Sequence, residues 1–424
     1  MITVIENPPV NEWPELAKRP HIDLTSMLDT VREVFDAVKI SGDAALRQYT
    51  LKYDKVEIDN IAVPDDEIKD SEAKLSAELK RDIQTAAGSI ASVSKAQQRP
   101  TSEVETFNGV RCWHEYKPID KVGLYVPAGS APLFSSVLML AVPASVAGCP
   151  ERILCSPPGK DGHINPAILY AADLAGATKI FRVGGIQAIA AMTLGTESIP
   201  QVYKICGPGN RYVTAAKQFA TFFGAAIDMP AGPSELLLVA DNNADPSLVA
   251  IDFLSQLEHG PDSQSLLVTT SKSLIPELLE WINKLLPLLS RRNIIERELS
   301  NCRIIYMNEI ERAIDFANCY APEHLSLHTD QCLEHAKLIR NAASVFVGAQ
   351  STVSAGDYIS GTNHVLPTGG YAKAFSGVNL HTYMHGLYFQ HINYDGVMEI
   401  AEPIHNMARF EGLDGHSMAS TARL

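Results

Sequence analysis

Apolar and polar positions change their rhythm twice along this chain. Between residues 24 and 98 they recur at helical spacing, which predicts helices over Asp29–Ile40, Asp43–Tyr53 and Asp65–Ala96. Ser41-Gly42-Asp43 reads as the stop of the first helix and the start of the second. From Lys121 onward, short β-branched runs alternate with helical ones. The predicted series begins with strand Lys121–Val126, which ends in a Pro-Ala-Gly-Ser turn, and strand Arg152–Ser156. Helix Asn165–Leu174, strand Lys179–Val183, helix Gln187–Leu194 and strand Tyr203–Cys206 follow. Helix Arg211–Phe219 and strand Ala225–Met229 come next, then strand Ser234–Ala240 and helix Pro246–Leu257. Strands Ser265–Thr270, Arg303–Tyr306 and Ala343–Val347 continue the pattern. Such alternation implies βαβ units, hence an α/β fold with parallel sheets. After Gly377 the rhythm is lost. Tyr, His and Met mix into short segments, which predicts a separate small element.

Composition narrows the field. The 424 residues suggest two to three domains at about 150 residues each. With 46% hydrophobic and 20% charged residues, the chain is not a disordered one. A net charge of −14 without any Lys/Arg run argues against nucleic acid and against anionic lipid as partners. The longest apolar stretch, near Val137–Val142, stops at Pro143, well short of the ~20 residues of a membrane span. Residues 1–13 lack a basic region followed by an apolar core, so no secretory signal is expected. Seven scattered cysteines without a Cys-x-x-Cys fit reduced thiols in the cytoplasm and argue against a thiolate zinc site.

Several short constellations bear chemistry. Gly184-Gly185-Ile186-Gln187 and Cys206-Gly207-Pro208-Gly209-Asn210 each lead from a strand into a helix. Free backbone N–H groups at such a helix start suit a phosphate, though glycine there also serves steric needs alone. Neither matches G-x-G-x-x-G. Ala231-Gly232-Pro233-Ser234 is a rigid turn that can present a hydroxyl or simply cap a strand. Gln256 and His259, three apart, share a helix face and are feasible zinc ligands, with a structural histidine as the other reading. Glu323-His324, placed at an element start by Pro322, joins two proton-transfer groups of different natural pKa, or else an exposed cap. Asp357, His364, Glu411 and His416 add further acids and imidazoles in turn-rich segments. The pairs His324/His328 and His381/His385 have the i,i+4 spacing of a helical zinc site but lack H-E-x-x-H, and are poor candidates.

Taken together, these segments resemble the signature of the histidinol dehydrogenase family. The resemblance rests on Ala226–Glu235 with Gln256–Gly260, on Val122–Pro127 with Ser130–Leu133, and on Gly184–Ala188 and Cys206–Asn210. Ala321–His324, Gly356–Tyr358, Asn363–Gly370 and Glu411–His416 complete it, so that it covers the chain from about residue 25 to the end. It implies oxidation of L-histidinol to L-histidine through L-histidinaldehyde, with two NAD+ and one Zn2+ per subunit. By resemblance, Gln256, His259, Asp357 and His416 hold zinc, and His416 comes from the partner in a homodimer. Glu323 and His324 match the catalytic pair, and Tyr125, Gln187 and Asn210 the NAD contacts. Ser234, His324 and Glu411 match substrate contacts together with the zinc ligands. The implied fold is two incomplete Rossmann-like domains with parallel sheets, plus small N- and C-terminal dimerisation elements. Residues 24–124 with 234–378 would form one domain and 125–233 the NAD-binding one. Residues 1–23 would be an extension, and 379–424 would reach the partner's active site.

Two details depart from the family pattern. Leu257 stands where a smaller Ala is common, and residues 379–393 are rich in His and Tyr rather than basic. Both bear on tail packing and dimer contacts more than on the reaction. The competing readings are an NAD-dependent dehydrogenase of another small alcohol, such as sulfopropanediol, a zinc hydrolase with Glu323 as base, and a non-catalytic dimeric scaffold. Glu411 and His416 favour histidinol, and the glycine turns with Tyr125 and Asn210 speak against the hydrolase.

Overall fold

Two parallel sheets and one antiparallel sheet organise the described residues. The computed structural model describes residues 2–20, 25–128, 132–260 and 262–424; Ser130 and Ala131 of the motif above lie outside the described residues. The first sheet has the order Thr3–Glu6, Arg303–Tyr306, Gln264–Thr269, Glu235–Ala240, His324–His328, Ser344–Val347, with every neighbouring pair parallel. The second runs Lys179–Phe181, Glu151–Cys155, Lys121–Tyr125, Lys204–Cys206, Ala226–Ile227, again all parallel. The α/β architecture expected from the alternating pattern is thus the one observed. Among the described residues no helix is long and apolar enough to cross a membrane.

Both sheets are covered on two faces, which is why their strands read as unbroken apolar runs. Leu236 to Ala240 are fully buried. On the second sheet, helices Leu28–Asp54, Gly185–Leu194 and Arg211–Ala220 pack one face. Helices Ala77–Ala96, Phe134–Ala147 and Pro166–Leu174 pack the other. On the first sheet, Pro246–Ser255 and Leu274–Leu285 lie on one side and Ile310–Tyr320 on the other.

These contacts redraw the expected division of the chain. The 28–96 helices, which the resemblance groups with the 234–378 segment, bury their apolar faces against the second sheet instead. A helical period fixes which face is apolar, not which sheet receives it. Residues 3–6, expected in a separate extension, form the edge strand of the first sheet. Residues 102–118 pair with the tail: Ser102–Phe107, Val110–Pro118 and Met384–Ile392 make the antiparallel sheet. Helices Tyr394–Phe410 and Asp414–Thr421 complete that element.

Local signals hold well. Helix Leu28–Asp54 breaks its geometry at Gly42, with φ 48° and ψ −127°, where the capping tripeptide predicts a boundary. A Cβ there would collide with the Glu197 carboxylate, which accepts the Asp43 N–H at 2.8 Å. The expected Asp65–Ala96 helix is divided instead. Ser76 starts the Ala77–Ala96 helix by accepting the Leu79 N–H, so a capping serine interrupts the longer reading.

Candidate active site

The second sheet reverses its strand order between Lys121–Tyr125 and Lys204–Cys206. In open α/β sheets, ligands settle outside the carboxyl ends of strands at such a reversal. Tyr125 ends one of these strands and the Gly207–Asn210 turn follows the other. The turn packs so closely on its neighbour that a Cβ at Gly207, where φ is 138°, would collide with the Tyr125 carbonyl oxygen. Tyr125 is buried, and its hydroxyl accepts the Gly185 N–H at 3.1 Å, at the start of the Gly185–Leu194 helix. Burial pushes its phenol up to about 12. Gln187 sits in the same first turn; it is buried and neither amide atom has a hydrogen-bond partner. Asn210 caps the next helix, its Oδ1 accepting the Tyr212 and Val213 N–H groups at 3.0 and 3.2 Å.

A buried ion pair fixes the glycine turn. Lys217 Nζ donates to the Gly207 carbonyl at 2.7 Å and pairs with Asp228 Oδ1 at 2.5 Å. Asp228 Oδ2 accepts the Gly207 N–H at 2.7 Å. Just beyond Asp228, the chain leaves the second sheet and enters the central strand of the first. Ser234 is the last residue before that strand.

Between the sheets lies a cavity of about 340 Å³, and Ser234, Gln256, His259, Glu323, His324 and Asp357 all line it. Gly207 to Gly209 border it from the other side. Gln256 and His259 come from the 3₁₀ turn Gln256–His259 that ends the Pro246–Ser255 helix, so their spacing does place them together. Gln256 is 1% exposed, and both its amide oxygen and nitrogen lack a partner. A buried amide left bare is costly unless something else occupies it. Asp357 is contributed by helix Val353–Tyr358. No group of three His, Cys, Asp or Glu converges among the described residues, so one chain offers a cation the His259 and Asp357 side chains plus the Gln256 amide.

Glu323 and His324 open strand His324–His328. Both are tied to the backbone of Glu235 on the adjacent strand. Glu323 Oε2 accepts the Glu235 N–H at 2.9 Å, and His324 Nδ1 donates to the Glu235 carbonyl at 3.3 Å. That leaves His324 Nε2 without a hydrogen-bond partner, 3.9 Å from Asp357 Oδ1. Burial opposes the charged imidazole, but the Glu323 carboxylate, 3.4 Å away, and then Asp357 outweigh it and hold His324 at about 9.

Ser136, and the role of His364, escape the sequence reading. His364 bridges Ser136 Oγ at 2.9 Å and the Asp357 carbonyl at 2.8 Å. Its burial lowers its pKa, which keeps it neutral and able to play both donor and acceptor. In the sequence His364 is a histidine without an assigned role, whereas nothing marks Ser136 within its apolar helix. Glu411 and His416 are not among the lining residues; they are exposed on the tail helices. His324 and His328 lie on one strand, about 13 Å apart at ~3.3 Å per residue, and His328 is engaged by Asp252 at 3.2 Å.

Comparison with known proteins agrees with this geometry. The family model described as histidinol dehydrogenase matches residues 17–424. The chain is 50% identical to histidinol dehydrogenase of Bacteroides thetaiotaomicron over 424 residues, covering 100% of this chain and 99% of that one. It is 45% identical to the Vibrio parahaemolyticus histidinol dehydrogenase, covering 96% and 95%. The crystal structure of histidinol dehydrogenase from Elizabethkingia anophelis superposes with a TM-score of 0.96 at 47% identity, covering 100% and 98%. Relatives this similar over whole chains leave one assignment: the chain belongs to the histidinol dehydrogenase family of oxidoreductases.

Proposed function

We propose that this protein catalyses the zinc- and NAD-dependent four-electron oxidation of L-histidinol to L-histidine through L-histidinaldehyde, in histidine biosynthesis. The observation that carries the reading is the bare, buried Gln256 amide in one cavity with His259, Asp357 and the Glu323–His324 pair. An amide oxygen, an imidazole and a carboxylate form a hard-to-borderline donor set that suits zinc. Membership of a dehydrogenase family sets the hydrolase alternative aside.

When bound, zinc would supply Lewis acidity toward the substrate's nitrogen donors and NAD+ would supply the hydride acceptor. Gln256, His259 and Asp357 would hold the metal, with His416 of the partner subunit as fourth ligand. The tail that bears Glu411 and His416 is strongly apolar on its exposed side, with Phe410 95% and Tyr388 88% exposed. Patches of that kind mark protein contacts, which supports a homodimer. Tyr125, Gln187 and Asn210 would receive the dinucleotide at the reversal of the second sheet, with Gln187 offering an unspent donor and acceptor. Ser234 and the partner subunit's Glu411 would orient the substrate. His324 presents Nε2 to the cavity and takes the hydroxyl proton, because its Nδ1 is fixed by the Glu235 carbonyl. Were Asp357 to ligate the metal, its share of the negative charge that favours the imidazolium would fall. Glu323 then removes a proton from the water that attacks the aldehyde carbon while His324 returns its proton to the aldehyde oxygen, and the neutral His324 accepts the hydroxyl proton released in the second oxidation.

The test is NADH formation on adding L-histidinol and NAD+ to purified protein, with metal analysis of the same sample. Activity should vanish on chelation and return with Zn2+. Undiminished turnover by a metal-free preparation would reject the zinc assignment, and absence of NADH formation would reject the substrate.

A further inference from the structure

The catalytic pair follows an unfavourable turn. Helix Ile310–Tyr320 ends at Ala321, which adopts a left-handed conformation, φ 54° and ψ 68°, despite carrying a Cβ. Pro322 comes next, then Glu323 and His324. Such a conformation persists only where its surroundings impose it. Backbone bonds hold part of it, from the Ala321 N–H to the Ala317 carbonyl and from Ala343 and Ser344 to the Pro322 and Glu323 carbonyls, and two side chains from distant parts of the chain hold the rest. Arg19 Nη2 donates to the Tyr320 carbonyl at 2.6 Å and to the Ala321 carbonyl at 3.3 Å. The guanidinium lies 3.6 Å from the centre of the Tyr320 ring. Its Nε and Nη2 also fork onto the Glu235 carboxylate at 2.7 and 3.0 Å. Glu235 in turn accepts the Glu323 N–H at 3.2 Å, while its own N–H holds the Glu323 carboxylate at 2.9 Å.

We propose that Arg19 and Glu235 are a positioning pair that sets the Tyr320–Glu323 turn and thereby aims Glu323 and His324 into the cavity. This rests on the reading above, in which Glu323 and His324 move the protons. The charges require the pairing. Glu235 and Glu323 are both buried and exchange hydrogen bonds, so Glu235 stays anionic beside a second carboxylate only with a cation in contact. Burial raises the Glu235 pKa and Arg19 opposes that rise. Lysine cannot replace the planar fork that meets a carboxylate and two carbonyls at once. Arg19, Glu235 and Gln264 also line a second cavity, of about 290 Å³, beside the catalytic one. Shortening Arg19 enlarges that space and opens the vacated position to a small cation.

The experiment uses the full-length, zinc-supplied protein and first measures NADH formation from histidinol by the unaltered enzyme. Arg19→Ala should lower kcat roughly 10- to 100-fold, since a misplacement of ~1 Å can cost ~100-fold. KM for NAD+ and zinc content should stay unchanged. Millimolar guanidinium chloride, below denaturing levels, should restore several-fold of the lost kcat in Arg19→Ala and nothing in Glu235→Gln. Should Arg19→Ala fail to fold, Arg19→Lys decides, with a several-fold kcat deficit at unchanged KM for NAD+. Full kcat in either variant, or a folded Arg19→Ala that guanidinium leaves unimproved, overturns the positioning role. Inactivity of the unaltered enzyme overturns the functional reading itself, so the two failures are distinct.

Discussion

Glu323 and His324 are neighbours in sequence and share one anchor, the main chain of Glu235, through its N–H and its C=O respectively. Their roles should nonetheless separate. Glu323→Gln keeps an oxygen to accept the Glu235 N–H, so that hydrogen bond survives while the base, and the charge that raises the His324 pKa, are lost. It should slow aldehyde oxidation by ~10²–10⁴-fold, the usual worth of a general acid or base, and affect the first hydride transfer less. His324→Asn should slow both. Single-turnover NADH formation, started once from histidinol and once from histidinaldehyde, reads the difference. Loss of the alcohol step alone in Glu323→Gln would show the roles to be wrongly assigned. At this scale the sequence is informative wherever a residue stands in a short motif. Ser234, Gln256, His259, Glu323, His324 and Asp357 sit beside Gly, Pro or one another and do meet in one cavity. Ser136 and His364 join them only through tertiary contact, and Arg19 gives no local sign of reaching Glu235.

Elements are legible where their period is clean. The strands of the two parallel sheets are short, buried on both faces and bounded by turns, so their apolar runs stand out. His324–His328 alternates polar and apolar residues as a half-buried strand does, whereas all five residues are buried. Val110–Pro118 pairs on one side with Ser102–Phe107 across an Asn108-Gly109 turn, a local hairpin signal, and on the other with the tail. A single sequence carries no sign of so distant a pairing. One element-level contact invites measurement. The Lys217–Asp228 pair holds the turn that starts helix Arg211–Ala220 and borders the cavity. Lys217→Met leaves Asp228 buried without a countercharge, which should destabilise the fold by about 3–5 kcal/mol. It should also raise KM for NAD+ more than it lowers kcat. Lys217→Met combined with Asp228→Asn removes both charges and keeps an acceptor for the Gly207 N–H, so urea unfolding should show much of the stability regained. Equal stability of the single and double variants would mean that the buried charge is not the source.

For the whole molecule, the proposed sharing of the site between subunits makes a sharp demand. His416→Ala and His259→Ala homodimers should each be inactive. Mixed and reassociated, they form heterodimers in which one site collects both defects and the other none. Activity should therefore reappear, and its absence despite proven heterodimers would exclude a shared site. The two sheets also meet with opposite polarity. The second presents the carboxyl end of its Lys204–Cys206 strand to the cavity, at Gly207, while the first presents the amino ends, at Ser234 and His324. The carboxyl-end loops of the first sheet thus lie at the far side from every residue assigned a role. Asn242 and Asn243 are exposed in one of them. Surface turns of this kind accept added chain readily. A flexible affinity tag or a small fluorescent domain inserted between these two asparagines should leave histidinol turnover within about twofold. The same insertion between Gly209 and Asn210 should abolish it, which makes the first sheet's outer rim the practical handle for immobilising or labelling this enzyme.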